Sequence, residues 1–142
     1  MSDILKIENQ FCFSVYKLMK NINTIYKPLL NELNLTYTQY ITMLVLWEKD
    51  GLNVNEIGEI LSLDSGTLTP LLKKLEKKEY IKRKRNKLDE RNLIISLTKK
   101  GKELKEKAKN VPVNLLNSFS LDSTEIFSIK QQIDALNKIL EK

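Results

Sequence analysis

Apolar residues recur three or four positions apart along most of the chain, and the pattern predicts six helices and one pair of strands. From about Ile4, the residues Phe11, Val15, Leu18 and Ile22 form one stripe, with Cys12, Tyr16 and Met19 beside it, so the opening segment reads as a single amphipathic helix. Pro28 restricts Lys27, which predicts a kink or a restart there. Thr36-Tyr37-Thr38-Gln39 has the form of a capping box. The second helix therefore begins at Tyr37, runs through Tyr40, Leu44 and Trp47, and ends at Asp50-Gly51. Asn53 caps a short third helix with Val54, Ile57 and Leu61 inward. Ser62-Leu63-Asp64 links it to a fourth, whose apolar face is Leu68, Leu71, Leu72 and Leu75. Pro70 is tolerated in this fourth helix if the regular part starts near Thr67, since first-turn amides have no helical partner. Two short helices joined by a tight link read as helix-turn-helix.

After Tyr80-Ile81 the period becomes alternating. Lys82 to Arg85 predicts one extended basic strand, Leu93 to Leu97 a second, and Asn86 to Asn92 the loop between them. A hairpin directly after a helix-turn-helix is a wing. Thr98 then caps a fifth helix carrying Leu104, Ala108 and Val111, which Pro112 should bend or break. Asp122-Ser123-Thr124-Glu125 offers another capping box. Ile126, Ile129, Ile133, Leu136 and Leu140 follow as a narrow stripe suited to packing against another helix. The expected fold is mainly α with a small β-hairpin wing, a winged helix-turn-helix in one domain over residues 1–142, with no internal repeat or linker.

Composition removes several function classes. The longest unbroken apolar run, Met43 to Trp47, is far too short to span a membrane. The first residues carry acids and no long apolar region, so no signal peptide is expected and the cytoplasm is the expected location. A single cysteine excludes an intrachain disulfide, the absence of histidine removes His-based triads and most zinc sites, and the four glycines form no phosphate loop. Together these weigh against an enzyme, and neither a cofactor nor a metal is expected. The net charge of +6 is localised: Lys73 to Lys87 holds nine basic residues against two acids, leaving the rest about neutral. Such a stripe fits a surface that meets phosphates, or else a solvated helix face followed by a charged edge strand. Cys12 is either inert filling or the whole input of a redox switch.

Asp89-Glu90-Arg91-Asn92-Leu93-Ile94-Ile95-Ser96-Leu97-Thr98, set in this order of helices and hairpin, resembles the wing of the MarR family of bacterial transcription regulators. Phe11-Cys12-Phe13 followed by Tyr16, and Leu63-Asp64-Ser65-Gly66-Thr67-Leu68-Thr69-Pro70, are similar to the one-cysteine organic hydroperoxide sensor branch of that family. The similarity runs from about Glu8 to Phe119; the last helix matches only in placement and apolar pattern. The resemblance implies a homodimeric repressor of double-stranded DNA at a palindromic operator. Residues 1–35 and 99–142 would form the dimer helices and residues 36–98 the DNA-binding lobe. It also implies that two tyrosines of the partner chain, at the positions of Tyr26 and Tyr37, hydrogen-bond the Cys12 sulfur, with Tyr16 a further tyrosine close by. Oxidation of Cys12 by an organic hydroperoxide would break those bonds and shift the two reading heads.

The start of the fourth helix suits phosphates on physical grounds, with free amides and the hydroxyls of Ser65, Thr67 and Thr69, although Ser65 and Thr67 would equally serve as simple caps. Thr69 and Lys73 are expected near base edges, and Lys74 and Lys77 nearer the backbone. In the wing, Arg91 is the minor-groove candidate and Arg85 and Lys87 add phosphate contacts. By resemblance, Asp89 pairs with a wing arginine. Four rivals stay open: a regulator responding to a small aromatic anion near Tyr26, Tyr37, Tyr40 and Trp47; a broader redox-responsive global regulator; a thiol peroxidase, disfavoured by the missing resolving cysteine and the absence of histidine; and a non-DNA interaction module, for which the basic stripe would be incidental.

Overall fold

The computed structural model describes residues 2–86 and 89–141. Among them the chain forms α1 (Phe11–Asn31), α2 (Tyr37–Glu48), β1 (Leu52–Asn53), α3 (Val54–Leu61), α4 (Ser65–Lys77), β2 (Ile81–Asn86), β3 (Asp89–Leu97), α5 (Lys99–Ala108), α6 (Asn110–Ser118) and α7 (Ser123–Leu140). The three strands make one antiparallel sheet in the order β1-β3-β2. Ile81 lies opposite Leu97, Arg83 opposite Ile95, and Leu52 on the other edge opposite Ile95. The expected mainly helical fold with a small wing is present.

Local chemistry accounts for the helix starts. Thr36 accepts from the Gln39 amide while the Gln39 side chain accepts from Thr36 N, the predicted capping box. Asn53 and Glu56 form a second, reciprocal box at α3. Asp122 accepts from Glu125 N at α7. Each such cap is worth about 1 kcal/mol.

Five boundaries differ from the sequence expectations. The opening segment is two 3-10 turns, Ser2–Leu5 and Ile7–Asn9, before α1 begins at Phe11. The Asn9 and Gln10 side-chain amides donate to the carbonyls of Asp3, Ile4 and Lys6, groups a continuous helix would have used. Pro28 does not restart α1, which runs unbroken from Phe11 to Asn31, because the one lost bond falls near its end, where Leu30 is driven into the core. α4 starts at Ser65, not near Thr67, which leaves Pro70 in its second turn. The hairpin is longer than expected, since residues 89–92 continue β3 instead of forming a loop, and β1 adds a third strand. Finally, the fifth helix ends at Ala108, the residue whose carbonyl Pro112 would have had to serve. Pro112 instead occupies the first turn of α6, where no amide is needed.

The core lies between α2, α3, α4 and the sheet, where Met43, Leu46, Ile57, Leu68, Leu72, Leu75, Ile81 and Ile95 are fully buried. The four leucines of α4 stabilise its docking by roughly 2 kcal/mol each. Around this core Trp47 Nε1 donates to Gly101 O (2.9 Å), and Tyr80 Oη donates to Leu33 O (2.9 Å). By contrast, α7 buries nothing, and Phe11, Val15 and Leu18 on α1 are exposed together with Phe127, Ile129, Ile133 and Leu136 on α7.

Candidate DNA interface and redox site

α4 is anchored by its leucines and turns the opposite side outward. Ser65, Thr67, Lys73, Lys74 and Lys77 are exposed there, and Thr69 is half-buried. The cap of α4 is Asp64, whose Oδ1 accepts from Thr67 N at 2.7 Å, a bond that holds its carboxyl below the usual range. Ser65 and Thr67 are therefore not the caps that one sequence reading allowed, and their hydroxyls stay at the surface.

The wing strand β2 carries exposed Lys82, Lys84 and Arg85. Lys87 lies outside the described residues, and at Asp89 and Arg91 only the strand backbone is described, so the expected Asp89 pairing and the Arg91 groove contact fall outside them too. Two members of the basic stripe face inward. Arg83 donates from its backbone N (3.1 Å), Nε (3.1 Å) and Nη2 (2.9 Å) to the Glu76 carboxylate of α4. Lys78 Nζ donates to Asn34 O and Gln39 Oε1, both at 2.7 Å, and burial followed by the nearby Lys74 charge pushes its pKa down. Sequence reasoning counted both in the phosphate-facing stripe; nothing in their spacing announces the acceptors, which lie on other elements.

Cys12 is exposed and is the second residue of α1, not an interior position, because the helix starts later than its periodicity suggested. That first turn has unpaired amides and is the helix end that favours negative charge. Tyr16 is exposed one turn on and packs beside Phe13, ring centroids 6.5 Å apart. Tyr26 and Tyr37 are elsewhere and adjacent to each other, with centroids 5.0 Å apart; Tyr40 completes a cluster at 5.9 Å from Tyr26. Burial, then Tyr37 and Tyr40, push the Tyr26 phenol up to about 12, so it remains a hydrogen-bond donor at neutral pH. Met19, Tyr26, Leu30, Leu35, Tyr37 and Thr38 line an open cavity of about 610 Å³. Fourteen residues of one helix separate Cys12 from Tyr26, about 21 Å along its axis. One chain therefore does not bring the sulfur to its own Tyr26.

A second crevice, about 320 Å³, lies between α2 and the α5–α6 junction, with Tyr40, Leu44 and Trp47 as an apolar wall and Lys105 and Lys109 at its edge. No group of three or more metal-ligating side chains occurs among the described residues, and none of their helices is long and apolar enough to cross a membrane.

Comparison with known proteins gives consistent results. The family described as Transcriptional regulator SarA/Rot matches residues 24–108. The organic hydroperoxide resistance transcriptional regulator of Bacillus subtilis is 48% identical over 139 residues, spanning 98% of this chain and 92% of that protein. The HTH-type transcriptional regulator SarZ of Staphylococcus aureus is 45% identical over 123 residues, 87% of this chain and 83% of SarZ. Among solved structures, reduced AbfR bound to DNA superposes with a TM-score of 0.80 at 33% identity, covering 99% of both chains; AbfR is a protein of Staphylococcus epidermidis. AbfR also matches in an overoxidised, DNA-bound form (TM-score 0.76) and in a disulfide form (TM-score 0.66). The winged fold expected from the MarR resemblance is thus shared along the chain, which belongs to the SarA/Rot family of transcriptional regulators.

Proposed function

We propose that this chain is a homodimeric, cytoplasmic repressor that binds double-stranded DNA at a palindromic operator and is released when an organic hydroperoxide oxidises Cys12. The observation that carries the reading is the similarity along 98% of the chain to a regulator of organic hydroperoxide resistance. The geometry supports it. The apolar stripes of α1 and α7 lack cover within one chain, and a second copy covering them would close residues 1–35 and 99–142 into a dimer body that carries two lobes of residues 36–98.

In this reading the Cys12 thiolate is held by phenol hydrogen bonds from Tyr26 and Tyr37 of the other chain, with Tyr16 nearby. The sulfur attacks the terminal peroxide oxygen. An S–O bond forms, the O–O bond breaks, and the alkoxide leaves and takes up a proton as the alcohol; the sulfur is oxidised to sulfenic acid. A phenol bonds this product less well than an anion, so the dimer packing changes and the two α4 helices no longer match half-sites one DNA turn apart. In the bound state Ser65, Thr67, Lys74 and Lys77 hold phosphates, Thr69 and Lys73 meet base edges, and Arg91 enters the minor groove. Arg85 and Lys87 contact the flanking backbone, and Asp89 stiffens the wing. The sulfur reacts once as a signal and does not turn over as an enzyme.

The test is a gel shift on the DNA upstream of the protein's own reading frame, with wild type and Cys12→Ser, with and without cumene hydroperoxide. The expected result is release of wild type alone. Peroxide-driven release of Cys12→Ser refutes the sulfur switch. The crevice of Tyr40, Leu44 and Trp47 edged by Lys105 and Lys109 favours one second reading, a small aromatic anion as the signal. Release by salicylate but not by peroxide would establish it instead.

A further inference from the structure

The outward stripe of α4 runs through Gly66, Pro70, Lys73 and Lys77, all exposed, opposite the buried Leu68, Leu71, Leu72 and Leu75. Its first two positions carry the two poorest helix-forming residues, side by side one turn apart. Neither is explained by packing. A Cβ on Gly66 would meet nothing nearer than Asp64 Oδ1 at 3.4 Å, and its backbone is not in the left-handed region. Pro70 is the sixth residue of the helix and is exposed. Residues placed against local propensity with no structural return mark a surface that something else approaches.

Their chemistry is complementary. Pro70 has no N–H, so the carbonyl four residues back, that of Gly66, loses its helical donor, and the ring pushes that carbonyl off the helix axis. On the exposed side this leaves an acceptor beside an apolar ring, with no side chain at residue 66 to screen it. The major-groove edge of an A·T pair presents the matching partners, the adenine N6 amino donor and the thymine C5-methyl. A G·C pair also offers an amino group on cytosine, but it has no methyl, and its guanine N7 and O6 are acceptors that repel a carbonyl.

We propose that the Gly66 carbonyl and the Pro70 ring together read one A·T base pair in each operator half-site. This rests on the reading of α4 as the helix that enters the major groove, and it adds a backbone group to the side chains assigned there. Lys73 and Lys77, further along the same stripe, then lie beyond this pair toward guanines or phosphates.

The experiment uses the full chain and the footprinted upstream duplex. Each thymine is replaced in turn by deoxyuridine, which removes the methyl, and each adenine by purine deoxyriboside, which removes the amino group. Affinities are measured for wild type, Pro70→Ala and Gly66→Ala. Pro70→Ala restores an N–H that captures the Gly66 carbonyl and deletes the ring, in a helix that gains stability. Wild type is expected to lose about fivefold for either base change at one A·T pair per half-site. Pro70→Ala should bind the unmodified operator about as weakly as wild type binds a duplex carrying both base changes at that pair. It should lose nothing further at that pair, and its melting temperature should be undiminished. Gly66→Ala, with a methyl set against the base edge, should lose operator affinity while retaining wild-type binding to random duplex. A Pro70→Ala base profile identical to that of wild type overturns the proposal while leaving DNA binding intact. A wild type that prefers its upstream DNA no more than random duplex overturns the regulator reading and this proposal together.

Discussion

Glu76 of α4 and Arg83 of β2 are joined by three hydrogen bonds to one carboxylate, two from the guanidinium and one from the backbone N–H. The pair fixes the angle between the helix that carries Lys73 and the strand that leads to the wing tip. Its energetic contribution is modest, since the side chains are partly exposed.

Glu76→Gln and Arg83→Gln should each lower stability by about 1 kcal/mol or less, read by urea denaturation. Each should reduce operator affinity while random-duplex affinity stays nearly constant. The double exchange Glu76→Arg with Arg83→Glu should recover part of the operator affinity. The arginine holds the Glu76 carboxyl below its usual range. The stabilisation is therefore present at neutral pH and lost as pH falls from 4.5 through the folded value.

Gly101→Ala should destabilise the lobe by about 3 kcal/mol or more, seen as a lowered melting temperature in either redox state. A Cβ there would stand 2.1 Å from the Tyr80 carbonyl, which is backbone and already accepts from Thr98 N. The chain cannot give way without opening the start of α5 from the root of the wing.

Alkaline pH should weaken the fold through its tyrosines. Tyr26 is pushed up to about 12 from 10.0, first by burial and then by Tyr37 and Tyr40, and burial raises Tyr40 and Tyr80 as well. The folded chain holds these protons more tightly than the unfolded chain. The stabilisation is thus complete below pH 10 and is lost as pH rises through about 12. Melting temperatures followed across that range should fall, and Tyr26→Phe should flatten the fall. If Tyr26 also holds the sulfur, the same variant slows sulfenate formation by about tenfold, the worth of one hydrogen bond to an anion.

Arg91→Ala should weaken operator binding and reduce the salt slope of log affinity by about one unit. Equal slopes for variant and wild type in a titration series would remove Arg91 from the DNA contacts.

Much of this was legible in the chain itself. Thr36 with Gln39 and Asn53 announce helix starts because a cap is a local event, and the leucines of α4 announce a buried face because burial follows period. The tertiary partners were not legible. Arg83 and Lys78 look like solvated cations until Glu76, Asn34 and Gln39 are folded against them. The start of α1 was misplaced for a related reason: Ile4 and Phe11 keep a helical rhythm, but the Asn9 and Gln10 amides take the carbonyls first. The difference matters chemically, because Cys12 stands in the opening turn of its helix and not in the interior.

Tyr80 Oη meets Leu33 O, and Lys78 Nζ meets Asn34 O, across separations of 47 and 44 residues. Leu33 and Asn34 follow the end of the long first helix; Lys78 and Tyr80 lie in the link from α4 to β2. The two bonds weld the hilt of one element to the root of the other. The end of the long first helix is therefore fastened to the joint between α4 and β2, so a displacement of that end reaches helix and wing together.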